Sequence, residues 1–282
     1  MAILTAMDLE GRVAVITGGG SGIGEALAVT VAQARAAHVV VADIDDEQAH
    51  RVAAAVGGTA VGIDVRDETA ISSLVSSTED VHGPIGLFVS NAGYVTVGGL
   101  EDGNERIQAM WEVHVMAHIY AARAVLPQMI ANGGGYLLNT ASAAGLLTQI
   151  GSLSYSVTKH AAISLAEWLA ITHHHQGIRV SVLCPQAVRT NILENSPDTA
   201  IAEGDGFDDN VAGQDGVVEP AEVARQCLEA IDEERFWVLP HPRVADYVVR
   251  KATDIDRWLA GMRRFQIALY PDGPLPGDTI AP

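Results

Sequence analysis

Tyr155-Ser156-Val157-Thr158-Lys159 sets a phenol and an ammonium four residues apart, so that on a helix they share one face. A cation beside a phenol favours the phenolate and lowers its pKa towards working pH. Ser142 lies thirteen residues before Tyr155, just past the apolar run Tyr136-Leu137-Leu138-Asn139-Thr140. A strand ending at Ser142 and a helix carrying Tyr155 can bring both hydroxyls to one carbonyl oxygen. Ser142 would hold that oxygen, Tyr155 would protonate it, and Lys159 would tune Tyr155. This chemistry suits ketone reduction or alcohol oxidation, given a hydride carrier. Tyr-x-x-x-Lys alone is common on ordinary helix faces, so the rest of the chain must supply the carrier site.

The elements that would position these groups alternate between strand and helix. Residues 12–17 read as a buried strand. Gly18-Gly19-Gly20-Ser21-Gly22-Ile23-Gly24 follows, and a helix begins near Glu25. Glycines permit positive φ and let backbone N–H groups approach a pyrophosphate at a helix N-terminus. The Gly-x-Gly-x-x-Gly fingerprint fails, because from Gly18 and Gly20 its last position falls on Ile23; the spacing is Gly18-x-x-x-Gly22-x-Gly24. A second strand, residues 38–42, ends at Asp43, nineteen residues after Gly24. A carboxylate there accepts hydrogen bonds from the adenosine ribose and repels a 2′-phosphate, which argues for NAD over NADP.

Residues 59–63 form a third strand ending at Asp64-Val65, and Asp67 starts a helix to about Val81. Residues 86–90 form a fourth strand, ending at Asn91-Ala92-Gly93, which suits a turn or a ligand crevice. One long helix is expected over 105–130, a fifth strand over 136–141 and a helix over 152–175. A sixth strand over 178–183 precedes Pro185, and a short seventh spans 236–239. This alternation predicts an α/β fold: one doubly wound parallel sheet of about seven strands with helices on both faces. We expect one domain over 1–282. The acidic, glycine-spotted stretch from Glu194 to Val217 interrupts the pattern and reads as a substrate loop, about 190–217. Pro220 opens a helix to about Glu234; a C-terminal extension, about 240–282, is helical over 245–267 and ends in a Pro/Gly-rich tail. Ala143, Leu146, Leu147, Gln149 and Tyr94 are candidate pocket residues, and they suggest an apolar small-molecule substrate.

Of the 282 residues, 48% are hydrophobic and 18% charged, so a sizeable core is expected. A net charge of −18 argues against nucleic acid, whose phosphates require clustered cations. Two cysteines without metal-like spacing, no leader and no membrane-length apolar run predict a cytoplasmic protein off the membrane. His173-His174-His175 would point about 100° apart on a helix and cannot easily share an ion, so no metal is expected.

Together these elements resemble the short-chain dehydrogenase/reductase family over about residues 8–240. Thr17-Gly18-x-x-x-Gly22-Ile23-Gly24, with Ser21, is similar to its cofactor loop, Asp43 with Ile44 to its NAD-selecting position, and Asp64-Val65 to its adenine-contacting pair. Asn91-Ala92-Gly93 is similar to its Asn-Ala-Gly turn. Ser142, Tyr155 and Lys159 stand in its catalytic order, and Pro185, Val188 and Thr190 in its nicotinamide segment. The resemblance implies a one-domain Rossmann-type fold, hydride transfer with NAD(P), for which Asp43 argues NAD, Tyr155 as acid in reduction and base in oxidation, Lys159 on the nicotinamide ribose, and a homotetramer, frequent in the family. Two positions depart from the family: Gln186 replaces its usual Gly, and His114 replaces a catalytic Asn that holds a relay water. A neutral imidazole could hold that water or could simply pack. The rival readings are an epimerase or dehydratase of nucleotide sugars in the same fold, and a catalytically silent NAD-binding regulator.

Overall fold

The computed structural model describes residues 9–196, 213–271, 273 and 277. Its strands are β1 (Val13–Thr17), β2 (His38–Asp43), β3 (Thr59–Gly62), β4 (Ile85–Ser90), β5 (Gly135–Thr140), β6 (Ile178–Leu183) and β7 (Trp237–Val238). All pair in parallel, in the order β3-β2-β1-β4-β5-β6-β7. The order turns back between β1 and β4, so a crevice opens at the carboxyl ends of these strands. The helices are α1 (Gly22–Gln33), α2 (Asp46–Val56), α3 (Glu68–His82), α4 (Asn104–Trp111), α5 (Ala117–Ala131), α6 (Ala144–Leu147), α7 (Leu153–His173), α8 (Pro220–Asp232), α9 (Arg243–Thr253) and α10 (Ile255–Leu269).

Both faces of the sheet are covered, which is why β1, β4, β5 and β6 are buried along their whole length. Side chains alternate between the faces. Val13 and Val15 pack with Phe88, Leu137 and Val180 against α3, α5 and α7. Ala14 and Ile16 pack with Val41, Leu87 and Leu138 against α1, α2 and α8. Tyr136 reaches into this second layer fully buried, and its hydroxyl finds Ser181 Oγ at 2.7 Å and the Ala230 carbonyl at 3.3 Å.

The structure departs from the sequence reading at four places. The expected long helix is broken into α4 and α5 by a π turn at Glu112–Met116, centred on His114. The expected C-terminal helix is two helices, because Asp254 leaves helical geometry (φ −150°, ψ 89°) and its carboxylate caps α10, accepting from Arg257 N–H at 3.0 Å. α6 is an extra short helix directly after Ser142, and α2 fills a stretch given no helix. Most of the expected substrate loop, 197–212, and much of the tail after Pro271 lie outside the described residues.

Candidate active site

A cleft of about 1530 Å³ crosses the carboxyl ends of β1, β2, β4 and β5. It is lined by Gly18, Ser21, Gly22, Ile23, Asp43, Ile44, Asp64, Val65, Asn91, Ala92, Gly93, Ser142, Tyr155, Lys159, Pro185, Val188 and Thr190. The structure thus brings together every catalytic and cofactor-site residue expected from sequence except Gly24. That glycine stands behind the loop: a Cβ on it would lie 1.9 Å from the Gly18 carbonyl oxygen, so its place is to let the loop fold tightly over α1.

The glycine loop and β2 shape the first half of the cleft. Gly22 opens α1 with φ +54°, and a Cβ there would meet Thr190 at 3.0 Å. Ser21 is extended and makes no capping bond to α1, which leaves the first N–H groups of the helix facing the cleft. Asp43 is held from both sides, accepting Gly20 N–H at 2.8 Å and Asp45 N–H at 3.0 Å. Arg51, missed from sequence, lines the same region but is committed: it grips both Glu25 oxygens at 2.7 and 2.8 Å and the Gly20 carbonyl at 3.0 Å. Arg66 pairs with Asp64 at 2.5 Å, and that hydrogen bond holds the Asp64 carboxyl below its ordinary range. A cradle of backbone N–H groups beside a fixed carboxylate fits the pyrophosphate and adenosine of a nicotinamide dinucleotide.

Asn91 is more than a turn residue. Its N–H donates to Thr17 Oγ1 at 3.0 Å, and its amide to the Thr17 and Gly18 carbonyls at 3.2 and 3.1 Å. Thr140 Oγ1 donates to its Oδ1 at 3.1 Å. One side chain therefore locks β1, β4 and β5 where the cleft opens.

Tyr155, Lys159 and Ser142 form the second half. Tyr155 and Lys159 lie one turn apart on α7, and both are buried. Ser142 leaves β5 and turns into α6, its Oγ accepting Ala144 N–H at 3.1 Å. Burial pushes the Tyr155 phenol up, and a hydrogen bond with Ser142 pulls it back down. Lys159 Nζ stands 5.6 Å from the phenol ring centroid and donates to the Thr140 carbonyl at 3.0 Å. Burial lowers the Lys159 ammonium to about 8. The nearby Cys184 thiol is pushed up to about 12, also by burial, so it stays neutral while Lys159 titrates.

His114 is completely buried at the π turn. Its Nε2 accepts Tyr94 N–H at 3.3 Å, which leaves the ring proton on Nδ1, donated to Thr158 Oγ1 at 3.0 Å. Thr158 in turn donates to the Ser154 carbonyl at 2.8 Å. Both nitrogens are in use, so the imidazole side chain has none left to hold a relay water. Of the two sequence readings, the geometry supports packing, in a specific form: His114 is a strut between the Asn91-Ala92-Gly93-Tyr94 turn and the catalytic helix. Burial, then Lys159 and His118, keep its pKa well below the ordinary value. His118, one turn along and unremarked in sequence, is lowered to about 3 by burial and Lys159, so Lys159 faces two neutral rings.

In the substrate half, Tyr94, Ala143, Leu147 and Gln149 line the cleft as expected. Leu146 does not; it faces away, packed with Leu239, Tyr247, Val248 and Trp258. Thr148 takes φ +72°, costly for a β-branched residue, and Ser156 secures the turn by accepting Gln149 N–H at 2.9 Å. Gln186 lines the cleft, and its N–H donates to His241 Nδ1 at 3.2 Å. His173 bonds Gln176 Oε1 at 2.6 Å, and among the described residues no group of three or more metal-ligating side chains occurs.

Residues 12–200 match the model of the short chain dehydrogenase family. The 1-deoxy-11-beta-hydroxypentalenate dehydrogenase of Streptomyces exfoliatus is 34% identical over 241 residues, 82% of this chain and 84% of that protein. A short chain dehydrogenase/reductase from Burkholderia phymatum, solved in complex with NAD, superposes with a TM-score of 0.77 at 30% identity, covering 89% of this chain and 96% of that one. L-Sorbose reductase from Gluconobacter frateurii, solved with NADPH and L-sorbose, superposes at 0.74 with 27% identity, covering 83% of this chain and 98% of that one.

The His114 strut yields a test. His114→Leu takes the acceptor from Tyr94 N–H, a loss worth about 1–3 kcal/mol when a buried donor is left unpaired, and removes the tie from Thr158 to the turn, so it should lower both Tm and kcat. Because the ring stays neutral, the pH profile of the parent should show no limb belonging to it near pH 6.5. A limb there that vanishes in His114→Asn would contradict the strut and restore the relay reading.

Proposed function

The chain belongs to the short-chain dehydrogenase/reductase family and interconverts alcohols and ketones with a nicotinamide cofactor; from that premise we propose an NAD-dependent enzyme for a secondary alcohol with an apolar body. The observation that carries this is one cleft in which Ser142, Tyr155 and Lys159 face the same space as the glycine cradle and Asp43. A bound nicotinamide supplies or takes the hydride. Ser142 Oγ holds the substrate oxygen, and Tyr155 gives it a proton in reduction and takes one in oxidation. Lys159 keeps positive charge beside the phenol and holds ribose hydroxyls. Gly18, Ser21, Gly22 and Ile23 hold the pyrophosphate, and Asp64 and Val65 lie by the adenine. Pro185, Val188 and Thr190 line the nicotinamide end.

Choice of NAD rests on Asp43 and on Arg51. The carboxylate is fixed at the ribose end, and the nearby guanidinium is already occupied by Glu25, so a 2′-phosphate would meet a negative charge without a free Arg51 to offset it. The apolar substrate follows from Val95, Leu147, Ile150, Ile192 and Leu193, which line the half beyond Tyr155. Further parts of the reading are a single domain over 1–282, a cytoplasmic location, consistent with two buried free cysteines, and a homotetramer. The tetramer is supported by apolar side chains left exposed on α4 and α7, Trp111, Val157, Trp168 and Ile171. Among the described residues no helix is long and apolar enough to cross a membrane.

Two outcomes test the proposal. Tyr155→Phe removes the proton donor and should cut kcat by about 10²–10⁴-fold, the usual contribution of general acid–base catalysis, with NADH affinity retained; near-parental turnover would refute the role. kcat/KM measured with NADH and NADPH on one ketone should favour NADH, and Asp43→Ala should erode that preference; equal use of both by the parent would overturn the NAD assignment.

A further inference from the structure

Only two of the seventeen cationic residues in this acidic chain are lysines, Lys159 and Lys251. All the others are arginines, mostly on the surface. Lys159 is the buried catalytic-site ammonium. Lys251, on α9, is half-buried, and burial lowers its pKa. It donates to the Leu146 carbonyl at 2.6 Å, across a separation of 105 residues.

That carbonyl belongs to α6, the four-residue helix that starts directly after Ser142. A helix this short cannot satisfy its last carbonyls internally, and a cation at that end is favourable. One face of α6 lines the cleft through Ala144 and Leu147. Its other side is backed by Val244, Tyr247 and Val248 of α9 and by Trp258 of α10. The Lys251 hydrogen bond thus clasps the C-terminal extension to the wall of the substrate half.

From this clasp α10 runs on and ends at Tyr270, which lines the same cleft as Tyr155. α10 buries none of its own residues fully. At the near end are Lys251 and the Tyr247–Trp258 ring pair, 6.2 Å apart. Beyond α10, Gly277 packs on Gly99 so closely that a Cβ on Gly99 would lie 2.4 Å from the Gly277 Cα.

We infer that the C-terminal extension is a substrate-size gauge: Tyr270 contacts the part of the substrate remote from the reacting carbon, and Lys251 is the positioning residue that holds Tyr270 and α6 in register. This deepens the apolar-alcohol reading and rests on it. The fitting substrate carries a ring or fused-ring body large enough to reach from Tyr155 to Tyr270, and a small cyclic ketone would react without touching Tyr270.

The test compares a small and a bulky ketone, cyclohexanone and a decalone, with NADH. Tyr270→Ala should lower the ratio of kcat/KM for decalone to that for cyclohexanone by about fivefold or more, the scale of a lost aromatic contact, through KM. NADH affinity, read from its fluorescence, should stay unchanged. Lys251→Met should shift the ratio in the same direction, and Lys251→Arg should restore it. A ratio within about twofold of the parent's in Tyr270→Ala overturns the inference. Equal losses on both ketones in Lys251→Met would reduce Lys251 to a stability residue and overturn its part. A parent that reduces neither ketone with NADH would instead break the underlying reading of an NAD-dependent enzyme for apolar ketones.

Discussion

The active site depends on burying one ammonium group. Lys159 is 3% exposed and donates to one backbone carbonyl, that of Thr140. Burial moves its pKa from 10.5 to about 8. A displacement of this size corresponds to roughly 3 kcal/mol against the folded state. The folded pKa is depressed below the unfolded one, so this cost is fully present below about pH 8 and fades as pH rises to 10.5. The core repays it: Ala162, Ile163, Ala166 and Leu169 bury one face of α7 against the sheet and fix the backbone that carries both Tyr155 and Lys159.

The surroundings keep that charge isolated. His114 and His118 stay neutral, and Cys184 stays a thiol, so Lys159 is the one cation facing Tyr155 among these neighbours. The end of β5 supplies both the Thr140 carbonyl that holds Lys159 and the turn that presents Ser142. Asn91 binds this strand end to the glycine loop through Thr17, Gly18 and Thr140. Hydride donor and proton donor are therefore set by one connected frame rather than by two adjoining sites.

Much of this frame was legible in the sequence. A parallel sheet covered on both faces writes its strands as apolar runs, and Val13 to Thr17 or Ile178 to Leu183 leave little choice. Glycines at 18, 22 and 24 mark the loop because backbone approach and positive φ exclude other residues. What escaped was set by contacts distant along the chain. No local pattern joins Lys251 to Leu146, turns Leu146 away from the cleft, or commits Arg51 to Glu25. The π turn at His114 is likewise invisible in a helical hydrophobic pattern. Asp254 did carry a signal, an N-cap residue inside an otherwise helical stretch, and its capping of Arg257 N–H accounts for the break.

With only two lysines in the chain, the charge on Lys159 can be watched directly. Protein carrying isotope-labelled lysine gives two side-chain resonances, and Lys251→Arg leaves only that of Lys159. Titration by NMR should place the remaining resonance at a pKa of about 8. A Lys159 that titrates at its ordinary value of about 10.5 or above would show the ammonium to be hydrated or paired, and would contradict the account of a buried, isolated charge at the centre of the site.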